Sequence, residues 1–262
     1  MVCTIFTTLK SFRDQHIKTI QQNAIISWTL LRPRPEIILL GNEPGSINFA
    51  KEHGLVHVPK VTVNKYGTPY CLSVFQAAQI RAQNDVCVYI NGDIILTSGF
   101  INGVEVCEKR FEHFLMIGQR YDLGISEQLS FNKNWENNLK LLVKENGSLH
   151  KVTGIDYFAF RKGDWMQMPP MVLGRIGWDN WIVSCANSRG HNVVNATEAV
   201  FVVHQNHFYN KTPEGDLVQQ GVEAKKNRKL ADTEGGRVHS GFINHAGWKI
   251  NSRGEIQKCQ SQ

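Results

Sequence analysis

The sequence has no run of about 18 consecutive apolar residues, so no segment qualifies as a membrane-spanning helix. It has no C-x-x-C either: the cysteines at 3, 71, 87, 107, 185 and 259 stand far apart, most of them in apolar runs such as Val86-Cys87-Val88-Tyr89. That spacing excludes a structural zinc held by cysteines, and it leads us to expect reduced core thiols in a cytoplasmic compartment, with peripheral attachment to a membrane still open. The stretch from Met1 to Thr8, followed by Lys10 and Arg13, contains no cleavable apolar segment and is expected to form a first strand and not a secretory signal. Internal repeats, low-complexity tracts and long linkers are also missing. Charge of one sign is in short supply: 29 Lys and Arg against 23 Asp and Glu leave +6, and the densest basic cluster is Lys225, Lys226, Arg228 and Lys229. A nucleic-acid partner is therefore not expected.

What is present is ordinary globular material, 42% hydrophobic over 262 residues, enough to bury a large core without a disulfide or metal staple. Short apolar runs alternate with segments of three- and four-residue periodicity. Strands are expected at Val2 to Leu9, Glu36 to Gly41, Asp85 to Asp93, Phe114 to Gly118, Tyr157 to Phe160 and Ala199 to Val203. Helices are expected at Gln15 to Leu31, Ser46 to His53, Tyr70 to Gln83, Gly99 to Phe111, Trp135 to Lys144, Asp179 to Arg189 and Gly221 to Leu230, with a terminal hairpin around Ile243 to Ile256. Repeated strand-helix steps imply an α/β fold whose sheet is largely parallel. From Gln205 onward the chain turns polar and rich in Gly and Asn, which suggests a division into a main domain, 1–207, and a C-terminal extension, 208–262, lying on it.

In open α/β sheets ligands bind beyond the carboxyl ends of the strands, so the polar residues that follow each apolar run are the candidates. These are Thr7, Thr8 and Lys10, then Asn42 and Glu43, then Asn91 and Asp93, then His204 and His207. A carboxylate and imidazoles from different strand ends are suitable ligands for Mn²⁺ or Mg²⁺, with a substrate diphosphate completing the shell. Each group also has a plainer reading. Asn91-Gly92-Asp93 is a common turn composition, His204 and His207 suit an exposed pair, and Asp179 between Trp178 and Trp181 suits a helix start with core tryptophans.

The ordered series of motifs is more specific than any single one. Leu40-Gly41-Asn42-Glu43-Pro44-Gly45, Tyr66-Gly67-Thr68-Pro69, Tyr89-Ile90-Asn91-Gly92-Asp93, Gly118-Gln119-Arg120, Thr153-Gly154-Ile155-Asp156-Tyr157, Gly177-Trp178-Asp179-Asn180-Trp181 and Val203-His204-Gln205-Asn206-His207 together resemble the GT-A-type glycosyltransferases, the nucleotide-diphospho-sugar transferase superfamily. The resemblance implies a GT-A, Rossmann-like mixed sheet, mostly parallel and flanked by helices. It implies a metal-dependent transferase that moves a hexosyl or pentosyl group, by inversion or retention, from a nucleotide-diphosphate sugar donor to a carbohydrate or other hydroxyl acceptor, lipid-linked acceptors included.

The family's D-x-D motif falls on Asn91-Gly92-Asp93, with Asn replacing the first acid and Asp93 as the metal-binding acid. Its C-terminal metal-binding histidine falls on His204 or His207. The acid opening a helix on the acceptor side falls on Asp179, the candidate base, with Asp156 as the second candidate. Thr7, Thr8, Asn42, Glu43, Lys65, Asn91, Gly92, Asp93 and Arg120 are the expected donor contacts, and the face of Trp178 or Trp181 is the expected acceptor wall. Two other functions compete. A sugar-nucleotide pyrophosphorylase would be expected to carry a glycine-rich phosphate loop after strand one, where Thr7 to Ser11 has no glycine. A non-catalytic sugar-nucleotide-binding module would have no need of an acceptor-side acid.

Overall fold

Runs of β-branched and aromatic residues form the strands, and the three- and four-spaced segments between them form helices. The structure, a computed structural model, describes residues 3–208, 211–212, 215–233 and 241–259. In chain order the first half contains β1 (Thr4–Thr8), α1 (Gln15–Thr29), β2 (Glu36–Leu40), α2 (Ser46–Glu52), β3 (Val56–Val58), α3 (Cys71–Arg81), β4 (Val86–Ile90), β5 (Ile94–Leu96), α4 (Gly99–Arg110) and β6 (Phe114–Ile117). The second half contains β7 (Tyr121–Leu123), α5 (Trp135–Asn146), β8 (Ser148–Leu149), β9 (Tyr157–Arg161), α6 (Trp178–Ser188), β10 (Asn192–Asn195), β11 (Val202–Gln205), β12 (Lys211–Thr212), β13 (Gly215–Asp216), α7 (Val222–Thr233), β14 (Trp248–Ile250) and β15 (Ile256–Lys258). Val2, at the start of the first expected strand, lies outside the described residues, as do 209–210, 213–214, 234–240 and 260–262 of the extension.

Nine strands form one sheet in the order β15-β14-β10-β6-β9-β4-β1-β2-β3. Five of its eight neighbouring pairs are parallel, and the antiparallel ones are β4 with β9, β9 with β6, and β14 with β15. The expected fold class, a mixed and mostly parallel sheet flanked by helices, is what the chain adopts. Side chains along β4 alternate between the faces: Val86, Val88 and Ile90 join one core with α1, α2 and α4, while Cys87 and Tyr89 join a second core with α3, α6 and α7. Because helices cover both faces, β4, and β2 after Glu36, can be apolar without interruption. Asp14 caps α1 by accepting the Ile17 N–H at 2.9 Å.

A second, four-stranded sheet, β5-β11-β7-β8, departs from the sequence expectation. The last strong strand was expected from Ala199, but β11 begins at Val202 and pairs with β5 and β7 and not with the large sheet. Strands β5 and β7 have only three residues each, too few to show a period of two. Beyond residue 207, β14 adds to the large sheet beside β10, and α7 contributes Ala231 to the second core. Five of the six cysteines are buried and all six are free thiols. Among the described residues no helix is long and apolar enough to cross a membrane.

Candidate functional site

Strand pairing brings together residues that are far apart in the sequence. β4 ends at Ile90, and the turn Asn91-Gly92-Asp93 leads directly into β5, closed by the Ile94 N–H donating to the Asn91 carbonyl at 3.2 Å. A Cβ on Gly92 would stand 3.0 Å from Leu9 Cδ2 and 3.4 Å from the Thr8 carbonyl, so the turn packs closely against the end of β1. β11 runs antiparallel to β5 with His204 opposite Ile94, and parallel to β7 with His204 opposite Asp122. This register sets His204 between two acids. Gln205, fully buried, donates from Nε2 to the Asp93 carbonyl at 2.9 Å and to the Ile20 carbonyl at 2.8 Å, and its Oε1 accepts from Asn23. The β11 end is thereby locked against α1 and the Asp93 turn.

The side chains that meet are Asp93, His204 and His207, whose ligand atoms all lie within 4.8 Å of one another. Asp93 Oδ2 is 3.0 Å from His207 Nε2 and 3.8 Å from His204 Nε2. Asp93 Oδ1 is buried and has no hydrogen-bond partner among the described residues. Burial pushes the Asp93 carboxyl up, but the His207 hydrogen bond and the neighbouring His204 and Lys10 charges outweigh it and hold the group well below the usual carboxylate range. Lys10 Nζ stands 3.4 Å from His207 Nε2 at the rim. For His204, burial disfavours the charged form, yet the hydrogen bond to Asp122 and the charge of Asp93 raise its pKa overall.

Behind this trio lies a partly buried charge network that the sequence did not announce. His204 Nδ1 is 3.2 Å from Asp122 Oδ1, and the other oxygen of Asp122 accepts from His150 Nδ1 at 2.5 Å. Arg120 donates from Nε to Asp122 Oδ1 at 3.0 Å and from its terminal nitrogen to Asp156 Oδ2. The remaining oxygen of Asp156 accepts from Asn91 Nδ2 at 2.7 Å, and Asn91 Oδ1 accepts from the Tyr89 hydroxyl at 3.1 Å. The imidazole that faces Asp93 is therefore backed by a carboxylate, an arrangement that fixes ring orientation and raises ligand basicity in metal sites. Asn91, Arg120 and Asp156, expected as donor or acceptor contacts, are bonded to one another here.

Asp179 sits in the first turn of α6, as expected, and its Oδ1 accepts the Gly177 N–H at 3.0 Å. Burial pushes its carboxyl up to about 6, against the pull of backbone hydrogen bonds from Asn180 and Gly177. The tryptophans on either side require a correction. Trp178 is 5% exposed and packs against Phe75, Tyr89 and Phe158, while Trp181 is 2% exposed and packs against Trp165, so neither presents a face to an acceptor. Periodicity places both on the helix but does not show that α6 turns this side inward.

The other expected contacts scatter. Thr7 is buried with its hydroxyl donating to the Thr8 carbonyl, and Thr8 is half-buried beside the Gly92 turn. Asn42 and Glu43 are exposed past the end of β2, and Lys65 is exposed with its ammonium 5.0 Å above the Tyr66 ring. Lys65 borders a groove of about 450 Å³ whose wall includes Tyr66, Tyr70, Glu223 and Lys226. Asp122, His150 and Gln205 are the residues that sequence reasoning missed. The pointers in the sequence were the proximity of Asp122 to the Gly118-Gln119-Arg120 motif and the place of Gln205 between His204 and His207.

No family model matches the chain, and no curated protein matches it. Among solved structures it is similar to S. aureus TarS 1-349, at 7% identity and a TM-score of 0.37, over 50% of this chain and 40% of that one. The same TarS fragment in complex with UDP-GlcNAc matches at 8% identity and a TM-score of 0.36, over 50% of this chain and 39% of that one. A protein from Desulfovibrio desulfuricans G20, described as a candidate nucleotide-diphospho-sugar transferase, matches at 9% identity and a TM-score of 0.36, over 62% of this chain and 64% of that one. The chain thus spans well under half of the TarS fragment. At these identities and scores the likenesses are descriptive and do not assign an activity.

Proposed function

We propose that the chain is a metal-dependent glycosyltransferase that takes a nucleotide-diphosphate sugar donor and passes its sugar to a hydroxyl acceptor. The observation that carries this reading is the convergence of Asp93, His204 and His207 beyond the end of β4, with Asp93 Oδ1 buried and unpartnered. A buried carboxylate oxygen without a partner is costly, and a cation would satisfy it. One carboxylate and two imidazoles fit Mn²⁺ better than Mg²⁺, which prefers an all-oxygen shell; both remain within the reading. When bound, the cation supplies neutralisation of the charge that develops on the departing diphosphate.

The chain's own residues supply the rest. Asp93 and the two histidines hold the ion, and Asp122 orients His204 through Nδ1. Lys10, at the rim beside His207, adds positive charge where the diphosphate would lie. Thr8 and the closely packed Gly92 turn shape the floor of the donor site, with Thr7 beneath it. Arg120, Asn91 and Asp156 act as a positioning network that holds the turn ahead of Asp93. Asp179, with a carboxyl pushed up to about 6, is suited to remove the acceptor proton near neutral pH. Residues 208–262 form the extension, completing the sheet edge through β14 and β15.

The test is hydrolysis and transfer with a panel of UDP-, GDP- and dTDP-sugars, each with and without Mn²⁺. Release of nucleoside diphosphate that depends on Mn²⁺ supports the reading. Release of pyrophosphate on incubating a nucleoside triphosphate with a sugar phosphate would replace it with a nucleotidyltransferase, and tight donor binding without turnover would leave a binding module.

A further inference from the structure

We propose a second cation site, formed by His113, Asp164 and His191, that takes Zn²⁺ or a neighbouring first-row divalent ion at the opposite end of the large sheet's strands. His113 immediately precedes β6, His191 immediately precedes β10, and Asp164 lies three residues beyond β9. β6 and β10 are parallel, and β9 runs against β6, so all three residues collect where the parallel strands begin. Asp93 lies past the other end of β4, whose five residues span about 17 Å. The two clusters are therefore separate, and this inference does not rest on the proposed transfer reaction.

Asp164 Oδ1 is 2.8 Å from His113 Nδ1, and Asp164 Oδ2 is 4.0 Å from His191 Nδ1. The two imidazole rings lie nearly parallel, 5.1 Å apart at 22°. The Asp164 side chain is 6% exposed, and its Oδ2 has no hydrogen-bond partner among the described residues; the buried His191 Nδ1 has none either. Two buried polar atoms that face each other across 4.0 Å without bonding form a gap for a shared ligand. A proton between them would need the shorter separation of a hydrogen bond. A cation would engage both at once.

The ligand atoms lie within 4.8 Å of one another, and tetrahedral bonds of about 2.0 to 2.2 Å set ligand atoms about 3.4 Å apart, inside that range. Two imidazoles and one carboxylate favour Zn²⁺, Ni²⁺ or Cu²⁺ over Mg²⁺ or Ca²⁺. The backbone is already arranged for it. Gly190, at a φ of +75°, turns the chain from α6 into His191, and Asn192 donates to the His113 carbonyl from both its N–H and its side-chain amide at 3.1 Å. His113, 54% exposed, opens onto a groove of about 760 Å³ walled in part by Asp85, Glu112 and Lys162, which gives the ion an entry path and a solvent ligand for the fourth position. A bound ion would tie together the starts of β6 and β10 and the segment after β9.

The experiment uses the full chain carrying Asp93→Ala, which removes the first cluster. Zn²⁺ is titrated calorimetrically, and Co²⁺ is followed by its visible absorption. One equivalent of Zn²⁺ should bind, a tetrahedral Co²⁺ spectrum should appear, and Zn²⁺ should raise Tm. Adding His113→Gln, at a half-exposed position where folding is easily preserved, should weaken binding at least about tenfold, the loss expected even for an outer partner of a metal ligand. Adding Asp164→Asn should do the same, with circular dichroism checking the fold. Absence of Zn²⁺ binding to the folded Asp93→Ala chain, or binding untouched by His113→Gln, would overturn the proposal.

Discussion

Asp179 carries a buried charge that the fold would be more stable without. Its carboxyl is pushed from 3.8 to about 6, a shift equivalent to at most about 3 kcal/mol. The sign follows from linkage: below pH 3.8 the group is protonated in both states and costs nothing. As the pH rises toward 6 the unfolded chain ionises first, native stability falls, and above 6 the whole penalty is present. Asp179→Asn removes the charge but gives up one accepted backbone hydrogen bond, worth about 1 kcal/mol. The variant should therefore be more stable than the parent by about 2 kcal/mol at pH 8, a rise in Tm of about 4 °C, with the advantage shrinking as the pH falls and reversing to a deficit of about 1 kcal/mol once the parent's carboxyl is protonated in both states. Differential scanning calorimetry across this pH range reads this directly. If Asp179 is the base, the same variant should also lose two to four orders of magnitude in turnover while keeping donor affinity. Equal or lower stability of Asp179→Asn at pH 8 would refute the burial argument, and near-normal turnover would refute the catalytic one.

Asp122→Asn should weaken Mn²⁺ binding by about 10- to 100-fold in calorimetric titration, because the ring of His204 loses its carboxylate partner. Arg120→Met should destabilise the fold by about 3 to 5 kcal/mol in urea unfolding, since it leaves the buried Asp156 carboxylate without its cation. Mn²⁺ affinity should fall as the pH drops through the raised pKa of His204, because a proton and the ion compete for the same imidazole. In the metal-free chain that protonated imidazole contributes stability that is complete below the unfolded value of 6.5 and lost as the pH rises through the folded one.

The meeting of Asp93 with His204 was legible because both follow apolar runs, and strand ends on the carboxyl side of an α/β sheet collect ligand-binding groups even across 111 residues of sequence. The route by which they meet was not. It depends on the three-residue strands β5 and β7, and a stretch that short leaves no alternation to read. Asp122 in Tyr121-Asp122-Leu123 looks like any exposed acid, and only the parallel register of β7 against β11 sets it beside His204. Gln205 carries no charge and stands in its motif only as the spacer after His204, although its amide fastens β11 to α1 and to the Asp93 turn. For Trp178 and Trp181 local sequence pointed the wrong way: aromatic residues beside an acid suit a sugar platform, but long-range packing with Phe75, Phe158 and Trp165 takes their faces into the core.

The central claim is that Asp93 anchors a cation that in turn holds a nucleoside diphosphate. Calorimetric titration of UDP and GDP into the chain, with and without Mn²⁺ and again in Asp93→Ala, tests it most directly. Binding should require Mn²⁺ in the parent chain and be lost in Asp93→Ala with the fold intact by circular dichroism. Nucleoside diphosphate affinity that is the same with and without Mn²⁺, or unchanged by Asp93→Ala, would contradict it.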